Sequence, residues 1–288
     1  MRRKISSGKI FDFFNIIIML FVIVCTLYPF LYVVMASFSD PTALSTYTGL
    51  LLLPIKPYTF EAYKAVFSMP LILSGFKNTL FVLIVGVLVN MVFTILGAYF
   101  LSIKGPMLKD VVAFMIIFTM YFSGGMIPGY LNVKDLGLIN SLWALILPGA
   151  IGTSNLIIMK SAFLSVPDSL VESARLDGAS YIQTLTKVML PLTKATLAVL
   201  ILYYGVGHWN SWFGASIYLQ DKDLYPIQLI LRNLLASTSS IAALDDIPEY
   251  AELVKYALIV ITSAPIICLY PFLQKYFTKG VMMGAVKG

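Results

Sequence analysis

Long apolar runs alternate with short polar segments along the chain, and six of these runs are long enough to cross a bilayer. A spanning helix needs about 20 predominantly apolar residues. The residues are mainly Leu, Ile, Val, Phe, Met and Ala, with scattered glycines of the kind that packed spanning helices use. The pattern predicts an all-α integral membrane protein with six transmembrane helices. They lie at about 13–37, 78–103, 111–131, 139–163, 192–213 and 254–275.

The first and third of these runs have features that bear on their assignment as spans. The first follows basic residues, as a signal peptide would, but about 25 apolar residues exceed the 7–15 of a signal peptide. We therefore interpret it as a retained first helix. The third is the least regular, because Gly124, Gly125, Pro128 and Gly129 interrupt its end.

Composition supports the membrane assignment. Of the 288 residues, 59% are hydrophobic and 12% charged, whereas soluble domains are about 45–50% apolar and about 25% charged. This excludes a disordered chain, a disulfide scaffold and a nucleic-acid module. The net charge is +6, and the basic residues that produce it lie beside apolar runs. We therefore expect contact with membrane lipid and none with nucleic acid.

The distribution of basic residues predicts the orientation. With the N-terminus inside, 13 of the 20 Lys and Arg residues fall on the inner side, which favours two cytoplasmic termini. The predicted organisation then follows in order along the chain. It comprises a cytoplasmic N-terminus (1–12), the first helix (13–37), an outer loop (38–77), a five-helix core (78–275) with an inner loop (164–191) and an outer loop (214–253), and a cytoplasmic tail (276–288).

The spans carry little candidate chemistry. Their middles lack Asp, Glu, Lys and Arg, whereas ion-coupled secondary transporters usually place ionisable groups there. Asn90, Asn155 and Asn210 are expected to form helix–helix hydrogen bonds, and His208, the only histidine, a structural one. No phosphate-binding loop or metal-ligand cluster occurs in the sequence. A membrane-embedded enzyme is therefore disfavoured, and we expect no catalytic residue or cofactor in this chain.

Aromatic residues cluster near the outer end of the fifth run. An interfacial belt is the favoured interpretation, and a sugar-stacking surface is the alternative. The residues are Tyr203, Tyr204, Trp209, Trp212 and Phe213.

The polar inner loop predicts two short helices joined by a turn. Ser165 and Asp168 form an S-x-x-D start signal, with Pro167 in the first turn. Gly178 can end the first helix, and Ser180 with Gln183 forms a capping box for the second. Pro191 is expected to open the fifth span.

The charge of the first of these helices indicates what it contacts. Asp168, Glu172 and Asp177 outnumber Arg175, and an anionic inner leaflet would repel them. Lipid-resting amphipathic helices are typically rich in Lys and Arg. We therefore expect a protein partner at this loop.

The segment ESARLDGASYIQTLTKVMLPL resembles the EAA loop of permease subunits of type I ABC importers. The matching residues are Glu172, Ala174, Asp177, Gly178, Leu190 and Pro191, while Ser173 departs from the second alanine of the triplet. PFLYVVMASFSDP, YTFEAY and the C-terminal QKYFTKGVMMGAVKG are similar to carbohydrate-type permeases. The resemblance is greatest to the maltose-type second permease and its complex-oligosaccharide branch.

The resemblance implies several site residues. The EAA loop is the helix that docks on an ATPase subunit, which assigns that contact to Glu172, Ala174, Arg175, Asp177, Gly178, Leu190 and Pro191. The C-terminal tail, with Lys279, Gly284 and Lys287, would reach the ATPase as well. The loop before the last span, with Asp245, Asp246 and Glu249, would meet the extracytoplasmic binding protein.

The implied function is translocation of a sugar, as an oligosaccharide or polysaccharide fragment, across a bacterial cytoplasmic membrane. The implied partners are a second homologous permease, two ATPase subunits that bind ATP and magnesium, and an extracytoplasmic solute-binding protein. The alternatives are a type I permease for a polyamine or phosphate and a secondary transporter.

Overall fold

The computed structural model describes residues 7–105, 107–241 and 253–268, and they form helices joined by turns and loops. The helices, in order, are α1 Ser7–Ala36, α2 Pro41–Thr46, α3 Glu61–Ser68, α4 Pro70–Ser102, α5 Lys109–Tyr121, α6 Met126–Asp135, α7 Thr153–Leu164, α8 Asp168–Leu176, α9 Tyr181–Thr184, α10 Leu190–Leu192, α11 Lys194–Asn210, α12 Phe213–Tyr218, α13 Ile227–Ile241 and α14 Leu253–Cys268. A π-helical segment, Leu185–Met189, joins α9 to α10, and short 3₁₀ turns occupy Leu142–Leu145, Leu147–Gly149 and Lys222–Leu224.

The described residues fall into two compact units. The first unit runs to residue 70 and resumes at 233–241 and 253–264, and the second holds 71–105, 107–232 and 265–268.

In the first unit, α1 is the predicted first span. Its segment Phe11–Ala36 has a mean hydropathy of 2.6, and none of its most apolar window is buried within the chain. Large apolar side chains exposed all along a helix are typical of a lipid-facing surface. This confirms a long apolar helix at the predicted place.

The predicted outer loop 38–77 is partly helical and folds onto the end of α1. The Phe38 ring stacks on Tyr63, with centroids 5.0 Å apart, and the Ile55 N–H donates to Ser39 Oγ at 2.9 Å. Asp40 caps α2, where hydrogen bonds from the Thr42 hydroxyl and the Ala43 N–H hold the pKa of its carboxyl below the ordinary value. The segment therefore contains α2, α3 and the start of α4.

In the second unit, α4 is the predicted second span, although it begins at Pro70 rather than at about residue 78. It is continuous for 33 residues with a mean hydropathy of 2.7. Proline suits its first turn, because the missing N–H would have no helical partner there.

The third and fourth predicted spans are each interrupted in the structure, so neither is one continuous helix. α5 and α6 bend by 120° at the glycine-containing break, where Gly125 takes a φ of +91°. The two 3₁₀ turns before α7 bend from it by 49°, at a segment where Pro148 lacks an N–H. Among the described residues, two helices are long and apolar enough to cross a membrane, or up to five if each bent pair is one span.

The fifth and sixth predicted spans are found in part. α11 covers most of 192–213, and it bends by 85° from the helical segment before it. α14 covers the first two thirds of 254–275, and the rest lies outside the described residues.

The core of the second unit joins α4, α7 and α11 to the segment 185–189. Bilayer helices gain from close packing rather than from exclusion of water. The buried members are Met91, Ala98, Tyr99, Met159, Phe163, Val166, Leu185, Met189, Leu200 and Tyr204. The end of the predicted inner loop is therefore packed into the same core as α4, α7 and α11.

Candidate functional site: a polar hairpin and a mid-span junction

Residues 168–192 form a helical hairpin, which we call the polar hairpin. Its first arm is α8, and its second arm is α9 followed by the π-helical segment and α10. Four residues, Gly178 among them, separate the arms. The hairpin holds all seven residues assigned to ATPase contact by resemblance, with Leu190 and Pro191 at its far end.

The start of α8 differs from the prediction. Ser165 does not cap it, because its hydroxyl donates to the Ala162 carbonyl at 2.7 Å and closes the preceding helix. Pro167 occupies the N-cap position, and α8 begins at Asp168. An acidic side chain in the first turn favours the helix, because it faces the positive end of the helix dipole.

The turn at Gly178 forms as predicted. Gly178 has a φ of +80°, its N–H donates to the Arg175 carbonyl at 3.0 Å, and the Ala179 N–H donates to the Ala174 carbonyl at 2.9 Å. These two bonds constitute a Schellman motif, in which a left-handed residue satisfies the last carbonyls of a helix. Glycine takes that conformation without steric cost.

The capping box at Ser180 is also confirmed. Ser180 Oγ accepts from the Gln183 N–H at 3.3 Å, and the Ser180 N–H donates to Gln183 Oε1 at 2.8 Å. The second arm therefore starts at a fixed residue, directly after the turn.

The end of the second arm corrects the prediction for Pro191. This proline lies inside α10, and the fifth span begins only at Lys194, after the bend at Thr193. Thr193 is buried, and its hydroxyl donates to the Met189 carbonyl at 2.8 Å. The π-helical segment 185–189 comes directly before this bend, and such segments occur frequently at functional sites.

Two contacts attach the polar hairpin to the C-terminal end of α4. The Tyr99 hydroxyl donates to the Tyr181 carbonyl at 3.0 Å, and Lys104 Nζ lies 2.7 Å from Asp168 Oδ2. The second pair is largely exposed, and its hydrogen bond raises the pKa of the Lys104 ammonium. The sequence pattern missed both contacts, because their partners are 82 and 64 residues apart.

The two faces of α8 differ. Val171 is half-buried and packs against the core, and Ala174, three residues further along the same face, is half-buried as well. Glu172 and Asp177 are exposed. The Arg175 guanidinium lies 5.1 Å from the centre of the Tyr181 ring.

The tip of the polar hairpin exposes large apolar side chains. Leu176 is 89% exposed and Ile182 is 74% exposed. An apolar tip flanked by carboxylates is a suitable surface for a protein partner. Leu190 is half-buried against the core, and Pro191 is exposed.

The other candidate residues lie outside the described residues. These are Lys279, Gly284 and Lys287 in the predicted tail and Asp245, Asp246 and Glu249 in the predicted outer loop. No group of three or more potential metal ligands occurs in the described part of the chain.

A second polar arrangement lies among the spans, and we call it the mid-span junction. It comprises Asn90, Thr94, Gly149, Gly152, Tyr204 and His208. His208 Nε2 lies 2.7 Å from Asn90 Oδ1, and Asn90 Nδ2 donates to the Gly149 carbonyl at 2.7 Å. The amide oxygen of Asn90 is therefore the acceptor, and His208 carries its proton on Nε2. The predictions of structural hydrogen bonds for His208 and Asn90 are confirmed.

Tyr204 completes the mid-span junction. Its hydroxyl oxygen accepts from the Gly152 N–H at 3.0 Å and lies 2.7 Å from Thr94 Oγ1. Both Tyr204 and Trp209 are buried within the chain, whereas Tyr203 and Phe213 are exposed. The five aromatic residues thus do not form one interfacial belt, which corrects the favoured interpretation.

Comparison with known proteins identifies relatives over the whole chain. A family model described as "Binding-protein-dependent transport system inner membrane component" matches residues 106–283. Protein LplC of Bacillus subtilis (strain 168) is 41% identical, over 98% of this chain and 97% of its own length. The polygalacturonan/rhamnogalacturonan transport system permease protein YtcP of the same organism is 37% identical over the full length of both chains.

A solved structure shares the fold. A chain of a bacterial ABC transporter involved in the import of the acidic polysaccharide alginate superposes with a TM-score of 0.87. It is 33% identical, over 96% of this chain and all of that one. The described helices thus have the type I ABC permease fold, in agreement with the resemblance in the sequence.

Proposed function

Because the chain belongs to the family of binding-protein-dependent transport system inner membrane components, we propose that it is the membrane-spanning permease of an ATP-driven sugar importer. The names of its relatives indicate the substrate class, since one is a polygalacturonan/rhamnogalacturonan permease and a solved neighbour imports alginate. We infer an oligosaccharide or a polysaccharide fragment. Location in the cytoplasmic membrane of a bacterium follows from the family.

The observation that carries the mechanism is the attachment of the polar hairpin to the spans. Leu185 and Met189 pack into the same core as α4, α7 and α11, and the Tyr99 hydroxyl fixes the start of the second arm to α4. A displacement at the exposed tip therefore moves packed helices rather than a loose loop. Packed cores switch between discrete arrangements, which suits a gate that opens to one side at a time.

The partners follow from this mechanism. Two ATPase subunits, which bind ATP and magnesium, would dock on hairpins of this kind in the present chain and in a second homologous permease. A solute-binding protein would deliver the sugar from outside. This chain then needs no catalytic residue and no cofactor. The tail with Lys279, Gly284 and Lys287, and the loop with Asp245, Asp246 and Glu249, remain predicted contacts of the ATPase and of the binding protein.

The proposed topology has six spans and both termini in the cytoplasm. The count of basic residues supports it. Single cysteines should be labelled from outside at Lys134 and Asp221, and from inside at Lys104 and Ser180. Labelling of Ser180→Cys from the outside alone would reject this topology.

Charge reversal at Glu172 tests the docking. Glu172→Lys should release the ATPase from the purified complex, because truncating one side of a buried charge pair can cost about 2–5 kcal/mol. Asp110→Lys, in the first turn of α5, is the control for an added charge outside the hairpin. If Glu172→Lys retains the ATPase as fully as Asp110→Lys does, the polar hairpin does not dock through this carboxylate.

Uptake into proteoliposomes tests the substrate class. The complete importer with its binding protein should accumulate galacturonate oligosaccharides when ATP is hydrolysed, and a non-hydrolysable analogue should abolish this. Spermidine and phosphate are the competing solutes. ATP-driven uptake of either of these, with no sugar uptake, would favour the non-sugar permease.

A further inference from the structure

We propose that the breaks in the third and fourth spans line the sugar passage and present neutral hydroxyl and peptide groups to sugar hydroxyls. The inference rests on the proposed function. We call these two segments, residues 122–125 and 147–154, the break surface. Both belong to the second unit.

The break surface includes Thr153 and adjoins Thr119, and both threonines lie deep within the predicted spans. Thr119 is ten residues from the start of α5 at Lys109, which corresponds to about 15 Å along a helix. Thr153 is eleven residues from the end of α7 at Leu164, or about 16 Å. Their hydroxyl oxygens are 3.4 Å apart, so the two breaks are neighbours. A hydrocarbon core of about 30 Å places the two threonines near its middle and the breaks beside them within the core.

One side of the fourth-span break is held by buried side chains. Asn90 binds the Gly149 carbonyl, and the Tyr204 hydroxyl binds the Gly152 N–H. Because both partners come from continuous helices of the core, the break is a fixed feature and not a frayed helix end. The mid-span junction thus stabilises irregular backbone at membrane depth.

The other side of the break surface is exposed. Leu147 is 42% exposed and Ile151 is 45% exposed, and Gly149, Ser154 and all of residues 122–125 are exposed as well. Irregular backbone does not face lipid, because hydrocarbon cannot bind its N–H and C=O groups. This surface must therefore contact another protein or line a water-filled space.

The chemistry of the exposed groups favours a water-filled sugar passage. Ser123 and Ser154 present hydroxyls, and no charged residue occurs at 111–133 or 136–159. Phe118 and Phe122 stack with centroids 4.3 Å apart, and Tyr121 is 79% exposed, which supplies ring faces for a pyranose. Neutral contacts hold a solute weakly enough for it to leave again, which conduction requires.

Water access to Ser154 in the assembled importer tests the proposal. Ser154→Cys and Val92→Cys are each placed in a Cys25→Ser, Cys268→Ser background. Val92 is the control, because it is 46% exposed on the continuous helix α4, ten residues from Ser102 and so also about 15 Å deep. The probe is a charged, membrane-impermeant methanethiosulfonate.

The expected result is that the probe modifies Ser154→Cys at least about tenfold faster than Val92→Cys, since only the former faces water. Modification should then block galacturonate uptake in the first variant alone. Equal rates, or modification of Ser154→Cys only when the second permease is absent, would overturn the proposal, the latter by showing that a partner covers the surface. Uptake by the unmodified parent tests the proposed function separately.

Discussion

The polar hairpin and the mid-span junction both interrupt helices of the same chain, and they satisfy the interrupted backbone in different ways. At the hairpin, the backbone groups at the interruption bond to residues nearby in sequence, through the Schellman motif at Gly178 and the capping box at Ser180. At the junction, Asn90 and Tyr204 reach backbone groups 59 and 52 residues away.

The difference follows from the surroundings of each interruption. Apart from Gly178 and its two chain neighbours, no residue has an atom within 4 Å of where a side chain at Gly178 would begin, and the tip beyond it exposes Leu176 and Ile182. The hairpin is therefore a self-contained surface, suited to a partner. The junction instead depends on side chains of other helices, because its bonds join α4 and α11 to the break before α7.

Added bulk at the junction should have the largest effect. Gly86→Val places a Cβ 2.6 Å from His208 Nε2, which overpacks the ring that Asn90 holds. Overpacking costs about 1–3 kcal/mol, so the purified complex should melt at a clearly lower temperature. Gly207→Val is the matched control, because it is also helical and meets no atom within 4 Å. Equal melting temperatures for the two variants would refute tight packing at this position.

Removal of one hydroxyl from the junction should have an intermediate effect. Tyr204→Phe removes the hydroxyl that accepts from the Gly152 N–H and that is hydrogen-bonded to the Thr94 hydroxyl. A buried polar group that loses its hydrogen-bond partner lowers the stability of a protein by about 1–3 kcal/mol. The loss is smaller in membrane proteins, where hydrogen bonds between side chains of different helices average about 0.6 kcal/mol. Thermal unfolding should show a modest loss, while Tyr58→Phe, at an exposed ring, should show none. A loss of the same size in both variants would contradict the assignment.

The smallest effect is expected at the exposed ion pair of the hairpin. Lys104 and Asp168 are 77% and 69% exposed, and exposed pairs are weak and screened by salt. Their interaction raises the pKa of Lys104, so the contribution of this ammonium is present at neutral pH and is lost as pH rises through that raised value. Lys104→Gln should leave the melting temperature and ATPase retention unchanged. A loss of ATPase would show that this pair, and not Tyr99, positions the hairpin.

The sequence predicted the polar hairpin better than the spans because its signals are local. Gly178 and the pair Ser180–Gln183 act within a few residues, and each forms the bonds that its motif predicts. Ser165 and Pro191 show the limit of such motifs. The Ser165 hydroxyl bonds to the preceding helix, and the bend into the fifth span is at Thr193.

The breaks in the third and fourth spans were not predicted from hydropathy, because an apolar run does not reveal whether its helix is continuous. Gly124 and Gly125 gave a partial signal in the third run, and Pro148, Gly149 and Gly152 gave a comparable one in the middle of the fourth. The bonding of His208 was expected, but its partner lies 118 residues away and is determined by packing.

The ratio of sugar imported to ATP hydrolysed tests the central claim most directly, with Gly178→Val and Gly178→Asn in the reconstituted importer. Asparagine tolerates the left-handed conformation, whereas a β-branched residue is strained there by roughly 1–2 kcal/mol. We predict a parental ratio for Gly178→Asn and, for Gly178→Val, either loss of the ATPase or hydrolysis without uptake. If Gly178→Val retains its ATPase and the parental ratio, the polar hairpin is not the element that couples hydrolysis to transport.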